Sequence, residues 1–481
     1  MLSVEEYTSL GAAETARRVG AGSLSAVEVA ETALFLLQRI DPSLHAFCTP
    51  TPDLALETAR ALERRIKRGE RVGRLAGAPV AIKDLVLTKG VRTTFGSRLY
   101  ADFVPDQDDI VVERLKLADA IILGKTNASE FGYGGFGHNP MFPTTRNPWD
   151  LGLTPGGSSA GSAAAVASGI CPIAIGSDGG GSIRLPAAFS GLVGIKASMG
   201  RVPLWPGCRD ENLPGASGWE SIEHVGPLAR TVLDAALMLE VIAGPDPRDR
   251  WSLPDEGVDW TEAALSRGPL ALRVAYCPEW GGIPVDRRVR AIVDRAVKCF
   301  EADLGCDVTI EPAPIGDFID CFRAIVALET DLSGLRALSV GREKDLSPSV
   351  RELLSTPWAA ATFTDALTRR KTAVNAMFRF MARFDLVLTP TVPLPPFAID
   401  LAGPGAIEGQ AVAHDAWTPA LYPANLTGQP AASVPAGWTD DGLPVGLQII
   451  GRHLADRTVL AAAAAFESCR PWKDKRPRVP E

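Results

Sequence analysis

A chain of 481 residues is too long for one small core and has room for an extensive apolar interior, as one large α/β domain or as two domains. Its 49 Lys and Arg against 57 Asp and Glu leave a formal charge of −8, which argues against a protein that lives on nucleic-acid phosphates or anionic lipid and in favour of small-molecule work. Eight cysteines (Cys48, Cys171, Cys208, Cys277, Cys299, Cys306, Cys321 and Cys469) include no C-x-x-C and never cluster with the five histidines, so neither a zinc site nor a disulfide framework is expected and a reducing compartment fits.

The N-terminal MLSVEEYTSLGAAE carries acid where a signal peptide needs a basic flank, and no segment reaches about 18 uninterrupted apolar residues, so a cytoplasmic protein without a membrane span is expected. The first 70 residues read as helical. Ser25 and Glu28 form a capping-box pattern before VEVAETALFLLQRI, and DLALETARALERRIKRG repeats the apolar spacing up to a glycine stop. From residue 78 short apolar strands, APVAI (78–82) and DAIILG (119–124), alternate with helical patterns such as DDIVVERLKLA. An Ala-rich helix to about residue 168, a strand PIAIG (172–176), a glycine run and helical potential in SIRLPAAFSG follow. Later strands are expected at LALRVAY (270–276), DLVLTP (385–390) and PVGLQIIG (444–451), with a helical insertion at about 315–384. No repeat, low-complexity tail or long linker divides the chain, which favours one large domain over 1–481.

Three glycine-rich stretches compete as sites. Gly132, Gly134 and Gly137 meet G-x-G-x-x-G, but KTNASEF before them is not a strand and HNPMFP after them cannot start a helix, so they read as a turn-rich loop. Gly157-Ser158-Ser159-Ala160-Gly161 meets G-x-S-x-G, which would make Ser159 the nucleophile of a Ser-His-Asp hydrolase. Pro148, Pro155 and Gly156 are loop letters where a strand should end, and His224, His414 and His453 have no surroundings that mark a triad partner. The third, GSDGGGSIR (176–184), follows a strand and offers a row of unshielded backbone N–H groups, which on its own reads equally as a nest able to hold an oxyanion or as a flexible glycine turn. VAIKDLV then places Lys83 at the end of an apolar strand, where poor solvation would lower its pKa and make it a base, although a strand-end lysine taken alone is more often solvated.

Lys83 in VAIKD, Ser158 in PGGSSAGSAAAVA and Ser182 in GSDGGGSIRLPAAFSGLVGIK together resemble the amidase signature family in order and spacing. LAGAPVAIKD, GKTNASEF, TRNPWD, NLTGQPAASVPAG and DGLPVGLQIIG extend the resemblance over nearly the whole chain. It implies a single α/β domain with a mixed central sheet covered by helices, in which 75–200 forms the signature core and the 315–384 insertion shapes the substrate pocket. It also implies a triad in which Ser182 attacks a carbonyl, Ser158 relays the proton across a cis Gly157-Ser158 bond, and neutral Lys83 is the terminal base. The turn Gly179-Gly180-Gly181-Ser182 would supply the oxyanion N–H groups, with Ser159, Asp178 and Arg184 in support and no metal or other cofactor.

Within that family, the subunit that feeds ammonia to mischarged tRNA usually carries Gln after S-I-R, whereas Leu185 stands here. The expectation is therefore a free-standing hydrolase of small, largely apolar amides and anilides, with carbamates, urethanes and esters in range. The alternatives are the Ser159 hydrolase and the glutamine-hydrolysing amidotransferase subunit. Phe131, Tyr133, Phe136, Leu185 and Trp358 are weak candidates for an apolar pocket, since ordinary core packing accounts better for each of these letters. The expected partner is the small amide or carbamate substrate, with neither nucleic acid nor membrane, and a homodimer is left open.

Overall fold

Ser25 caps the first long helix as its pattern predicts: the hydroxyl accepts the N–H of Glu28 at 3.1 Å, and the helix Ala26–Leu44 follows. The computed structural model describes residues 2–206, 213–216 and 218–478, and Cys208 lies outside them. Its strands are β1 (Phe47–Pro50), β2 (Pro79–Lys83), β3 (Ile121–Thr126), β4 (Ile173–Ser177), β5 (Val193–Lys196), β6 (Val225–Ala229), β7 (Arg273–Tyr276), β8 (Asp307–Ile310), β9 (Leu386–Pro390), β10 (Ala406–Ile407), β11 (Gln410–Ala411), β12 (Ala431–Trp438) and β13 (Pro444–Gly451). All but the small β10/β11 hairpin join one sheet of eleven strands in the order β1-β3-β2-β4-β6-β5-β12-β13-β9-β7-β8. The sheet is mixed: β3, β2 and β4 run parallel, as do β8, β7 and β9, while the ladders between these groups are antiparallel.

Side chains alternate across a strand, and here the alternation sorts them by size. Val80, Ile82, Ile173 and Ile175 point to the layer built by the helices Val232–Ile242, Arg287–Ala302 and Asp456–Cys469. Ala81 and Ala174 point to the opposite layer, with the helices Ala26–Leu44 and Ala160–Ala167. The small residues on both partners let the Ala-rich helix lie close to the sheet. Lys83 is two residues beyond Ala81 and shares its face, so the ammonium is carried towards the start of that helix. Parallel pairing sets Ile82 against Ile175, which brings the carboxyl ends of β2 and β4 to one edge, the edge where open α/β sheets bind ligands.

The expected strands at 78–82, 119–124, 172–176, 270–276, 385–390 and 444–451 are all present, within three residues at their ends. The segment 315–384 contains the helices Ile319–Leu328, Leu332–Ser339, Pro348–Ser355 and Ala360–Met381. Sequence reading leaves out β6 (VGPLA) and β12 (AASVPAGW), whose Pro and Gly are turn letters; in β12 the pairing register shifts between Pro435 and Gly437, which accommodates both. Among the described residues no helix is long and apolar enough to cross a membrane.

Candidate active site

Lys83 is fully buried. Its Nζ lies 2.7 Å from Ser158 Oγ, 2.9 Å from Ser177 Oγ and 3.3 Å from Ser177 O, so the end of β2 meets both the loop before the helix Ala160–Ala167 and the last residue of β4. The Gly157-Ser158 peptide is cis. Ser159, next in line, turns away: its hydroxyl donates to Ser177 O and accepts Ser177 N–H, both at 3.2 Å, and its N–H donates to Ser182 O at 3.3 Å. No histidine meets that hydroxyl among the described residues. His224 instead engages Ile222 O through Nδ1 at 2.8 Å and Lys196 Nζ through Nε2, so the Ser-His-Asp alternative finds no geometry here.

After β4 the chain makes the glycine turn. Asp178 O and N–H exchange backbone hydrogen bonds with His224, and the Asp178 carboxylate accepts Gly181 N–H at 2.6 Å and Ile183 N–H at 3.3 Å. The expectation that Gly181 joins the oxyanion donors therefore fails: its N–H is committed to Asp178, and its φ of +120° is a conformation glycine tolerates. The N–H groups of Gly179, Gly180 and Ser182 reach no protein acceptor among the described residues. Gly180 and Ser182 are half-buried.

Arg184 anchors this turn from beneath. Its Nε and Nη2 clamp Asp178 at 2.9 Å each, Nη1 donates to Gln448 Oε1 (2.6 Å) and Leu421 O (2.9 Å), and Nη2 also donates to Asn425 Oδ1 (2.7 Å). Asn425 Nδ2 returns to Asp178 O at 2.7 Å and Oδ1 at 2.9 Å. Burial alone would raise the Asp178 carboxyl, but the Arg184 charge and its hydrogen bonds hold it well below the usual range. Nearby, burial and then the Arg184 charge pull Lys196 down to about 7, while burial and Lys196 lower His224. The Asp178–Arg184 ion pair thus sits fully buried and hydrogen-bonded under the turn.

An aromatic wall stands above it. A Cβ on Gly179 would lie 2.3 Å from Trp219 Cε3, and one on Gly180 2.4 Å from Phe322 Cζ, so only glycine lets the rings approach the turn this closely. Tyr133 meets Trp219 edge to face at 5.1 Å, and Phe322 stacks on Tyr422 at 5.4 Å. Gly132 fills the space between Ser158 and Trp219, since a Cβ there would be 3.7 Å from both Ser158 Oγ and Trp219 Cη2. The 132–137 glycines form a loop, as expected. Of the other candidates, Phe131 is buried against Phe95 and Tyr100, Phe136 packs on Gly134, and Leu185 is buried under Gly135 and Gly156. Trp358 stacks on Phe363 at 6.0 Å. Trp219, Phe322, Ser177, Asn425 and Gln448 escape sequence reading because each comes from a different element; Asn425 and Gln448 do fall inside the family-like NLTGQP and GLQIIG runs.

The family model described as Amidase matches residues 28–460. The chain belongs to the amidase family. This amidase is 37% identical to a glutamyl-tRNA(Gln) amidotransferase subunit from Symbiobacterium thermophilum, over 98% of the chain and 99% of the relative. It is 36% identical to an acylamidase from Rhodococcus erythropolis, over 97% of each. Among solved structures it is similar to a bacterial aryl acylamidase of the amidase signature family, with a TM-score of 0.89, 33% identity and coverage of 98% and 99%. The amidase fold and the amide-hydrolysing class of the enzyme rest on these matches.

Proposed function

We propose that the chain is a free-standing hydrolase of small, largely apolar amides and anilides, with carbamates and esters in range, acting through an acyl-enzyme on Ser182. The observation that carries this reading is the buried Lys83 Nζ at 2.7 Å from Ser158 Oγ, an amine facing a hydroxyl where an ordinary ion pair would present a carboxylate. A neutral amine has two N–H groups and one lone pair. Ser177 O and Oγ are acceptors within its reach, and in this reading its lone pair takes the Ser158 proton. Ser182 Oγ then attacks the carbonyl carbon as its proton passes to Ser158 and the Ser158 proton to Lys83. The N–H groups of Gly179, Gly180 and Ser182 receive the oxyanion. Collapse of the tetrahedral intermediate breaks the C–N bond while Ser158 returns a proton to the leaving nitrogen; water repeats the sequence to release the acid.

The aromatic wall of Tyr133, Trp219 and Phe322 favours apolar substrates, because polar atoms left unpaired there would each cost about 1 to 3 kcal/mol. The second reading, a glutamine-hydrolysing amidotransferase subunit, is favoured by the 37% identity to such a protein. The test compares kcat/KM of the purified chain for glutamine, a short aliphatic amide, a nitroanilide and an aryl carbamate. Preference for the apolar substrates is expected. Preference for glutamine, or turnover only with added tRNA and partner subunits, overturns the hydrolase reading.

A further inference from the structure

Cys299 and Cys469 belong to no motif and take no part in the site, yet the packing of two helices brings their thiols together. The helix Arg287–Ala302 and the C-terminal helix Asp456–Cys469 pack on the face of the sheet opposite Lys83. Phe300 stacks on Phe466 with ring centroids 5.3 Å apart, and Arg470 Nη2 donates to Arg295 O at 3.2 Å. Cys299 adjoins Phe300, and Cys469 follows Phe466 by one turn on the same face of its helix, so these two contacts bracket the pair. The Cys299 thiol is within hydrogen-bond reach of both the Cys469 thiol and the Asp303 carboxylate. Both cysteines are free.

The two thiols differ in the way a reactive pair requires. Cys469 is exposed, whereas Cys299 is 2% exposed, and burial, followed by the hydrogen bond to Asp303, pushes the Cys299 thiol up to about 12. An oxidant from solvent therefore meets Cys469 first, while Cys299 is held back as its neighbour. We propose that Cys299 and Cys469 form a modification site for hydroperoxides, closing to a disulfide that staples the end of the C-terminal helix to the helix Arg287–Ala302. Hydrogen peroxide oxidises the Cys469 thiol to a sulfenic acid as its O–O bond breaks and one water leaves. The Cys299 sulfur then attacks the Cys469 sulfur, its proton passing to the Asp303 carboxylate and on to solvent, and the sulfenic hydroxyl leaves with a proton as a second water. The two thiols lose both their hydrogens, and the peroxide is reduced to water. In a reducing compartment such a bond is transient, since thiol reductants reopen it. The inference is independent of the proposed hydrolysis at Ser182.

The experiment exposes wild type, Cys469→Ser and Cys299→Ala, each as the folded full chain, to hydrogen peroxide, alkylates the remaining thiols after denaturation and maps the peptides without reduction. Wild type should yield one crosslinked product, the Cys299 peptide joined to the Cys469 peptide, which dithiothreitol separates. Cys469→Ser should show no crosslink at Cys299, and in Cys299→Ala the sulfenic acid should persist on Cys469 and be captured by dimedone. Cys469→Ser changes an exposed side chain and carries the test if the buried alanine variant does not fold. Oxidised wild type should melt about 3 to 5 °C above the reduced protein, as a crosslink between distant parts of the chain predicts, and the shift should be absent in Cys469→Ser. Three results overturn the proposal: a wild type in which Cys299 stays alkylatable while Cys469 stops at the sulfenic or sulfinic acid, a crosslink from Cys469 to another cysteine or to a second copy of the chain, or an oxidised protein that melts no higher than the reduced one.

Discussion

Beneath the glycine turn, every polar group is locked: Asp178, Arg184, Asn425 and Gln448 are fully buried and tied to one another by several bonds each. Above the turn, Tyr133 and Phe322 are only half-buried, and Trp219 meets the helical segment through an apolar cluster with Cys321, Ala324 and Ile325 and a hydrogen bond to Thr330. The lower region has one arrangement because any loosened group would leave a buried charge unpaired. The upper region is held by apolar contact and a few hydrogen bonds, so it can be changed without dismantling the chemistry. On the proposed reading, the reacting groups and the substrate-facing wall therefore differ in stiffness.

The largest effect is expected where the lower region meets the substrate. Ser182→Ala and Lys83→Ala should each reduce turnover by about 10⁴ to 10⁶, since members of one catalytic unit fail together, as measured by steady-state hydrolysis of a nitroanilide. Ser158→Ala should lose about 10² to 10⁴, the range for removing a proton-transfer group; a loss below tenfold would take Ser158 out of the relay. Arg184→Met should lower stability by about 3 to 5 kcal/mol by stranding the Asp178 carboxylate, read by chemical denaturation, and retention of wild-type stability would mean that the lower region is less rigid than described.

In the upper region the effects shrink. Phe322→Ala should raise KM for an aryl amide by about tenfold with a smaller change in kcat, as loss of one aromatic contact predicts. The subtlest test concerns pH. The folded pKa of Lys196 lies at about 7, below its ordinary 10.5, so between these values the unfolded chain holds a proton that the folded one has released. Stability should therefore rise with pH across that window and decline as pH drops back to about 7. Lys196→Met should flatten this slope in denaturation curves collected from pH 7 to 10.

The same division explains what the sequence makes legible. Lys83, Ser158, Ser159, Asp178, Ser182 and Arg184 sit on short local runs, the ends of β2 and β4 and the turns beside them, where strand alternation and glycine spacing limit the geometry. The structure brings all six together. Gly181 looked like its neighbours because letters do not say which N–H a nearby carboxylate will take. Trp219, Phe322 and Thr330 belong to segments with no local motif, and only the folding of the 319–328 helix over the turn unites them. Phe131 and Leu185 had the right chemistry and the right neighbourhood, yet apolar letters next to a site serve core and pocket alike, and both side chains are buried.

The central claim is that Ser182, not Ser158 or Ser159, carries the acyl group. It is tested most directly by rapid acid quenching of the enzyme during turnover of an activated aryl ester or nitroanilide, followed by peptide mass mapping of the adduct. The account predicts an acyl mass on the peptide containing Ser182, lost in Ser182→Ala and intercepted by hydroxylamine as the hydroxamate. An adduct on Ser158 or Ser159, or full turnover by Ser182→Ala, would contradict it.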